Sequence, residues 1–250
     1  MIWSLLLRGL LAGVVAGLLA GTFAFAFGEP LVQDAIDIEE AASAQASTTS
    51  QLARAEEEPL VTRPGQRGGL FLASTLYGAC VGTIFALAFA LVRGRGAPRD
   101  DWQLSVRLAA GLFAALVLVP FLKYPANPPA VGDPETIAAR TWLYLAMLSG
   151  GLLSLVAAAR VMWSVSDRAA PWLRPVLGVG TFVLLAGFLA VVLPGIDEVP
   201  ESFPASLLWQ FRMSSLGTQA VLWTALGTAF GILSVRAAAP ARGSSEATAV

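Results

Sequence analysis

Six apolar runs constrain this chain more than any other feature: residues 5–27, 70–92, 106–122, 141–162, 176–193 and 216–235, none of which contains Asp, Glu or Lys. About 20 such residues are enough to cross the hydrocarbon core of a bilayer. With no water there to satisfy backbone groups, runs of that kind have to be helices. Composition agrees, since 13% of the 250 residues are charged where a soluble domain carries about 25%. The expectation is an all-α, polytopic transmembrane bundle of about six spans over residues 1–236. A mobile extracytoplasmic loop is expected at 42–66 and a disordered cytoplasmic tail at 237–250.

Between the third and fourth runs stands KYPANPPAVGDPETIAART, residues 123–141. Its prolines would leave backbone groups without partners in lipid, so it belongs at a membrane surface. Segments 28–67 and 194–212 share its proline-broken, acidic character. With the N-terminus inside, the inner side carries ten of the sixteen basic residues, Arg8, Arg93, Arg95, Arg99, Arg107, Arg160, Arg168, Arg174, Arg236 and Arg242. It then holds only Asp100, Asp101, Asp167 and Glu246 among the acids. Short-loop Arg and Lys mark the cytoplasmic side, which puts both termini inside and all three broken segments outside. Trp3, Trp102, Trp142, Trp163, Trp172 and Trp209 fall near span ends, where such rings favour the interface, and only Trp223 lies well within a span. Arg67, Arg140 and Arg212 each precede the second span of a hairpin, 73 and 72 residues apart, a spacing consistent with three parallel helical-hairpin repeats around one outer mouth.

Gly9, Gly13, Gly17 and Gly21 recur every four residues. They share one narrow helical face on which another backbone can approach closely. The first span is therefore expected at the centre of the bundle or at a seam between copies in a homo-oligomer. A cleaved signal peptide is the competing reading, because Ala24-Phe25-Ala26 resembles a processing site, but the apolar run is long for one. The following EPLVQDAIDIEEA, residues 29–41, reads as a short helix beginning at Pro30, with Asp34, Asp37 and Glu40 on one face and Glu39 pointing away. Carboxylates so placed concentrate cations, and oxygen ligands suit hard divalent ions. Equally, acids favour a helix start and keep an outer loop soluble. Asp133-Pro134-Glu135 also reads as a helix start, while Lys123, Tyr124, Asn127, Asp133, Glu135 and Arg140 crowd polar groups into a candidate vestibule. The candidate metal ligands are Asp34, Asp37, Glu39, Glu40, Asp133 and Glu135. In the sixth run Thr218, Gln219, Thr224 and Thr228 either bond across helices or line a pathway.

The chain has no histidine, which removes imidazole bases and the usual nitrogen ligand for transition metals. The single Cys80, read as a small buried core residue, offers neither a disulfide nor a thiolate cluster. No Ser/His, His/Glu or paired buried carboxylate supports acid and base chemistry, so no enzyme and no tightly bound cofactor is expected. Arg93-Gly94-Arg95-Gly96 is too short a basic cluster for nucleic acid and reads as an anchor at anionic lipid. Two function classes remain: a permease subunit for a divalent cation, and a non-transporting scaffold or assembly protein whose small-residue faces bind a partner helix.

A family resemblance sharpens the first class. EPLVQDAIDIEE (29–40), RGGLFLASTLYGACVG (67–82) and above all PFLKYPANPPAVGDPETIAART (120–141) resemble the CbtA family of predicted cobalt transporter membrane subunits. The likeness continues through LPGIDEVPESFPASLLWQFR (193–212) to SLGTQ (215–219) and covers nearly the whole chain. It implies a bacterial inner-membrane protein tied to cobalt supply for cobalamin, with the cobalt ion as cargo. It also implies a small one-span partner, CbtB, that carries a histidine metal motif. By position the resemblance carries over Pro30 and Glu39, then Lys123, Tyr124, Pro125, Asn127, Pro128, Pro129, Gly132, Thr136 and Arg140. The family is described with fewer spans than the six counted here. Nitrogen ligands for cobalt would have to come from the partner.

Overall fold

The structure, a computed structural model, describes residues 2–47, 63–95, 100–129, 131–132, 134–166 and 168–238. Among these every regular element is helical, and six helices are long and apolar enough to cross a membrane. α1 (Ile2–Phe23) passes through a π turn (Ala24–Gly28) into α2 (Glu29–Ser47). α3 (Arg63–Val92) returns. α4 (Asp101–Phe113) passes through a second π turn (Ala114–Leu118) into the short α5 (Val119–Lys123). A 3-10 turn (Pro134–Thr136) leads to α6 (Ile137–Ser164), followed by α7 (Leu173–Val192) and α8 (Ala205–Ala238).

The two π turns have one cause. Each ends immediately before a proline pair position, Glu29-Pro30 and Val119-Pro120, and in each the residue before the proline donates its N–H five residues back, Glu29 to Ala24 O and Val119 to Ala114 O. A proline ring collides with the carbonyl four residues earlier and has no N–H to offer it. Widening the helix by one residue relieves the collision without breaking the rod. Pro30 therefore does not begin a new helix, contrary to its sequence signature; the chain is already helical when it arrives. The loop expected at 42–66 is also shorter at both ends, because residues 42–47 complete α2 and 63–66 open α3, while 48–62 lie outside the described residues. Likewise Ala237 and Ala238 still belong to α8, and 239–250 lie outside the described residues.

Glycine and alanine set the closest packing. Gly9 and Gly13 of α1 lie against the carbonyls of Gly82 and Gly78 on α3, Gly17 lies against the Ser74 carbonyl, and Gly21 against the Ser74 hydroxyl. Lipid tails are as apolar as leucine, so such helices associate through dispersion and close backbone approach rather than the hydrophobic effect. α8 lies across α1 and α4. Its Gly227 and Gly231 admit Ala109 and the Trp102 ring, and Ser105 Oγ donates to Gly227 O at 2.7 Å in a buried bond between the two helices. At the centre Phe85 and Phe89 stack edge-on against Phe230, with ring centroids 5.3 and 4.9 Å apart. The stripe Gly78, Gly82, Phe85, Phe89 is the buried face of α3, so Cys80, turned about 200° from Gly78 at 100° per residue, is exposed rather than buried.

α6 and α7 form a second, looser body. Gly150 receives Leu189 and Gly178 receives Met162, while Gly151 sits on the Ala115 carbonyl of the second π turn. α7 packs on α6, whereas α8 packs between α1 and α4. The third hairpin of the chain is thus parted, unlike the first, in which α1 and α3 lie face to face.

Candidate functional site

The proline-broken segments converge at one end of the bundle. Ala35 of α2, Val131 of the elbow, Phe203 just before α8 and Leu207 in its first turn are buried together in one apolar cluster. Polar ties reinforce it. Tyr124 donates its hydroxyl to Pro194 O at 2.7 Å, joining the elbow to the segment after α7. Burial pushes the Tyr124 phenol above its ordinary value, which favours the protonated, donating form. Arg212 of α8 reaches across to the elbow, donating from Nε to Ala126 O at 3.3 Å and from Nη2 to Asn127 Oδ1 at 2.9 Å. Arg140 pairs with Glu198 at 3.2 Å. Its guanidinium lies against Gly132, where φ is +127° and an added Cβ would stand 2.5 Å from Nη1. Arg67 of α3 forks onto Glu29 at 2.8 and 3.2 Å. Each of the three hairpin arginines therefore ties down a different proline-broken segment.

Below these ties lies a cavity of about 760 Å³ bounded by α3, the α4–α5 rod, α6 and α8. Arg140, Arg212, Asp197 and Glu198 stand at its polar end, and Phe85, Leu112 and Trp223 close the opposite one. Its walls are mostly apolar, but one stripe of α8 is not: Arg212, Ser215, Gln219 and Trp223 recur at three- and four-residue intervals along the lining. Trp223 is 6% exposed, and among the described residues neither its Nε1 nor the buried Gln219 Oε1 finds a hydrogen-bond partner. A donor and an acceptor one turn apart are thus buried without partners beside the cavity. Unmet groups of this kind cost about 1–3 kcal/mol each unless a ligand or water completes them.

Four of the elbow residues singled out from the sequence, Tyr124, Pro125, Asn127 and Arg140, line this cavity, whereas Lys123 is outside the lining. The candidate metal ligands are not gathered. Asp34, Asp37, Glu39 and Glu40 are exposed along α2, with Asp37 accepting from Gln33 Nε2 at 2.6 Å, and Glu135 is exposed in the 3-10 turn. Asp133 lies outside the described residues. Among the described residues no three of His, Cys, Asp and Glu come together to hold a metal ion. Sequence reasoning passed over Glu198 and Trp223 as site residues, although Trp223 already stood out as the one tryptophan deep within a span.

The CbtA family model, described as a probable cobalt transporter subunit, matches residues 2–235. The chain belongs to the CbtA family. No curated protein and no solved structure matches it. CbtA membership together with six membrane-length helices makes this a multi-pass membrane protein of metal transport. CbtA proteins are transporter subunits rather than an enzyme class, and a subunit implies a partner subunit.

Proposed function

We propose that this CbtA chain is the permeation subunit of a cobalt uptake system in a bacterial inner membrane. Both termini lie in the cytoplasm and the elbow end faces outward, a reading drawn from the arginine-rich inner loops. Cobalt ions concentrate at the carboxylates of α2 and the elbow, Asp34, Asp37, Glu39, Glu40, Asp133 and Glu135, then enter the large cavity past Asn127 and Asp197. With no imidazole in the chain, the ion keeps most of its water inside. Nitrogen ligands come from a small one-span, histidine-bearing partner. The inside-negative potential favours entry by about 2.3 kcal/mol per charge per 100 mV, so about twice that for a divalent ion.

The observation that carries this reading is the polar stripe of α8, Arg212, Ser215, Gln219 and Trp223, along an otherwise apolar cavity. On turning into the cavity, these side chains hold the hydration shell of a passing ion where the other walls cannot. Cobalt uptake by cells expressing the chain with its partner tests it. The double variant Gln219→Leu with Trp223→Phe, at equal membrane abundance, should take up cobalt about tenfold more slowly, within the 1–3 kcal/mol such groups command. Uptake at the parental rate would overturn the route. A scaffold reading draws on α7, whose apolar window is only 11% buried and leaves a flank for a partner helix. Copurification of the partner without any cobalt flux would favour it.

A further inference from the structure

α3 and α6 both line the large cavity, yet among the described residues these two helices do not pack together. The cavity opens sideways between them. On the α3 rim Tyr77 and Ile84 are 51% and 65% exposed, and on the α6 rim Tyr144 and Leu152 are exposed too, so these lining residues also face the bilayer. Helix rise gives the depth: Arg140 to Leu152 along α6 is about 18 Å, and Arg212 to Trp223 along α8 about 16 Å. One leaflet of a hydrocarbon core about 30 Å thick is about 15 Å deep. The opening is thus a leaflet-deep, mostly apolar slot that starts at the elbow. Charges at its polar end are unequally met. Arg140 is paired with Glu198. Arg212, half-buried, meets only neutral oxygens among the described residues, Ala126 O and Asn127 Oδ1. A cation so placed is costly without a counter-charge, and the N–H donors of a guanidinium outnumber those two bonds.

We propose that this slot binds one phospholipid from the leaflet on the elbow side, an acyl chain between α3 and α6 and the phosphate on Arg212. Each half of the site selects one half of the ligand. Apolar walls left empty forfeit dispersion contacts, and a tail regains them by moving sideways out of the bilayer. The planar guanidinium fits a phosphate fork. A soluble anion would leave the slot unfilled, and an apolar partner helix entering the same gap would leave Arg212 unmet. Charge also selects the head group. Asp197, at the same polar end, is exposed and carries a negative charge of its own. It disfavours a second anionic group and favours an ammonium beside the phosphate, so the lipid is zwitterionic, of the phosphatidylethanolamine class. A tail held there walls the cavity off from the bilayer, which an aqueous route along α8 requires. Binding itself does not depend on the transport reading.

Native mass spectrometry of the purified full chain in dodecyl maltoside, without cobalt or partner, tests this. After extensive detergent washing, phosphatidylethanolamine or phosphatidylglycerol is added back, each alone, and bound lipid per chain is read from the mass. The parent chain should take up one phosphatidylethanolamine saturably, and phosphatidylglycerol only at severalfold higher concentration. Leu148→Trp fills the slot between Tyr144 and Leu152 and should abolish the saturable lipid. Leu184→Trp, on a residue of α7 that is 75% exposed, should leave it unchanged, which separates slot lipid from surface lipid. Arg212→Gln should weaken uptake about tenfold or more, the factor that bonds from a charged donor command. No saturable lipid on the parent chain, retention of detergent or co-purified fatty acid alone, equal uptake of the two phospholipids, parental uptake by Leu148→Trp, or loss in Leu184→Trp would each overturn the assignment. Leu148 and Arg212 stand on different helices, so should one variant fail to fold the other decides.

Discussion

Gly13→Ala and Gly187→Ala are chemically the same substitution on two spans, and the structure assigns them unequal effects. At Gly13 an added Cβ would overlap the Gly78 carbonyl oxygen and stand 2.9 Å from the Gly78 carbon and 3.0 Å from Gly82 Cα. All three are backbone atoms, so no side chain can rotate away, and α1 and α3 must part by up to about an ångström. A gap of that size forfeits roughly a quarter to a half of each contact it opens, and overpacking of this kind costs about 1–3 kcal/mol. At Gly187 nothing lies within 4 Å of the added Cβ. Both variants gain about 1 kcal/mol of helix propensity, so that contribution cancels in the comparison. The difference between them isolates the seam, with Gly13→Ala about 1–3 kcal/mol less stable than Gly187→Ala. Unfolding by dodecyl sulfate in mixed micelles, followed by tryptophan fluorescence, measures it. Two variants that shift together, in the same direction and by the same amount, would refute the reasoning that backbone approach between α1 and α3 holds this bundle.

Two further expectations concern the elbow. Tyr124→Phe removes the bond to Pro194 O and should cost about 0.5–1.5 kcal/mol; because the Tyr124 phenol is raised in the folded state, its share of stability is intact below its ordinary range and fades as pH climbs beyond about 10. A parent-minus-variant difference that grows at high pH would contradict this. Arg212→Gln frees the elbow from α8 and should cost about 1.5–3 kcal/mol, as bonds to charged donors do, with faster amide exchange in residues 122–129; unchanged exchange there would show that Arg212 does not hold the segment.

Much of the bundle is written in single residues. The runs without Asp, Glu or Lys mark where lipid is the solvent, and all six fall within helices of the structure, to a residue or so at α7. What escaped the sequence has a separate physical cause in each case. Pro30 looks like a helix start locally, but local signals do not register a π turn, which forms because the preceding span is already helical and has only to widen by one residue. Cys80 has the residue type of a core position, yet its angular distance from Gly78 and Gly82 turns it outward. The acids of α2 fell on one helix as spacing requires, but proximity along a helix does not gather them into a coordination shell, which needs groups converging from several elements.

The polar groups that do converge are supplied largely by α8, and the reason lies in how that helix is held. Its second half is locked by close packing, with Gly227 and Gly231 against α4 and Leu226 and Phe230 fully buried. Its first half has cavities on two sides, so the face repeating through Arg212, Ser215 and Gln219 borders the large one while Ser214 and Thr218 border the small one. Ser215 and Gln219 stand between and belong to both. The helix is thus fixed at one end and left open on two flanks at the other, and it is there that its hydroxyl and amide side chains gather.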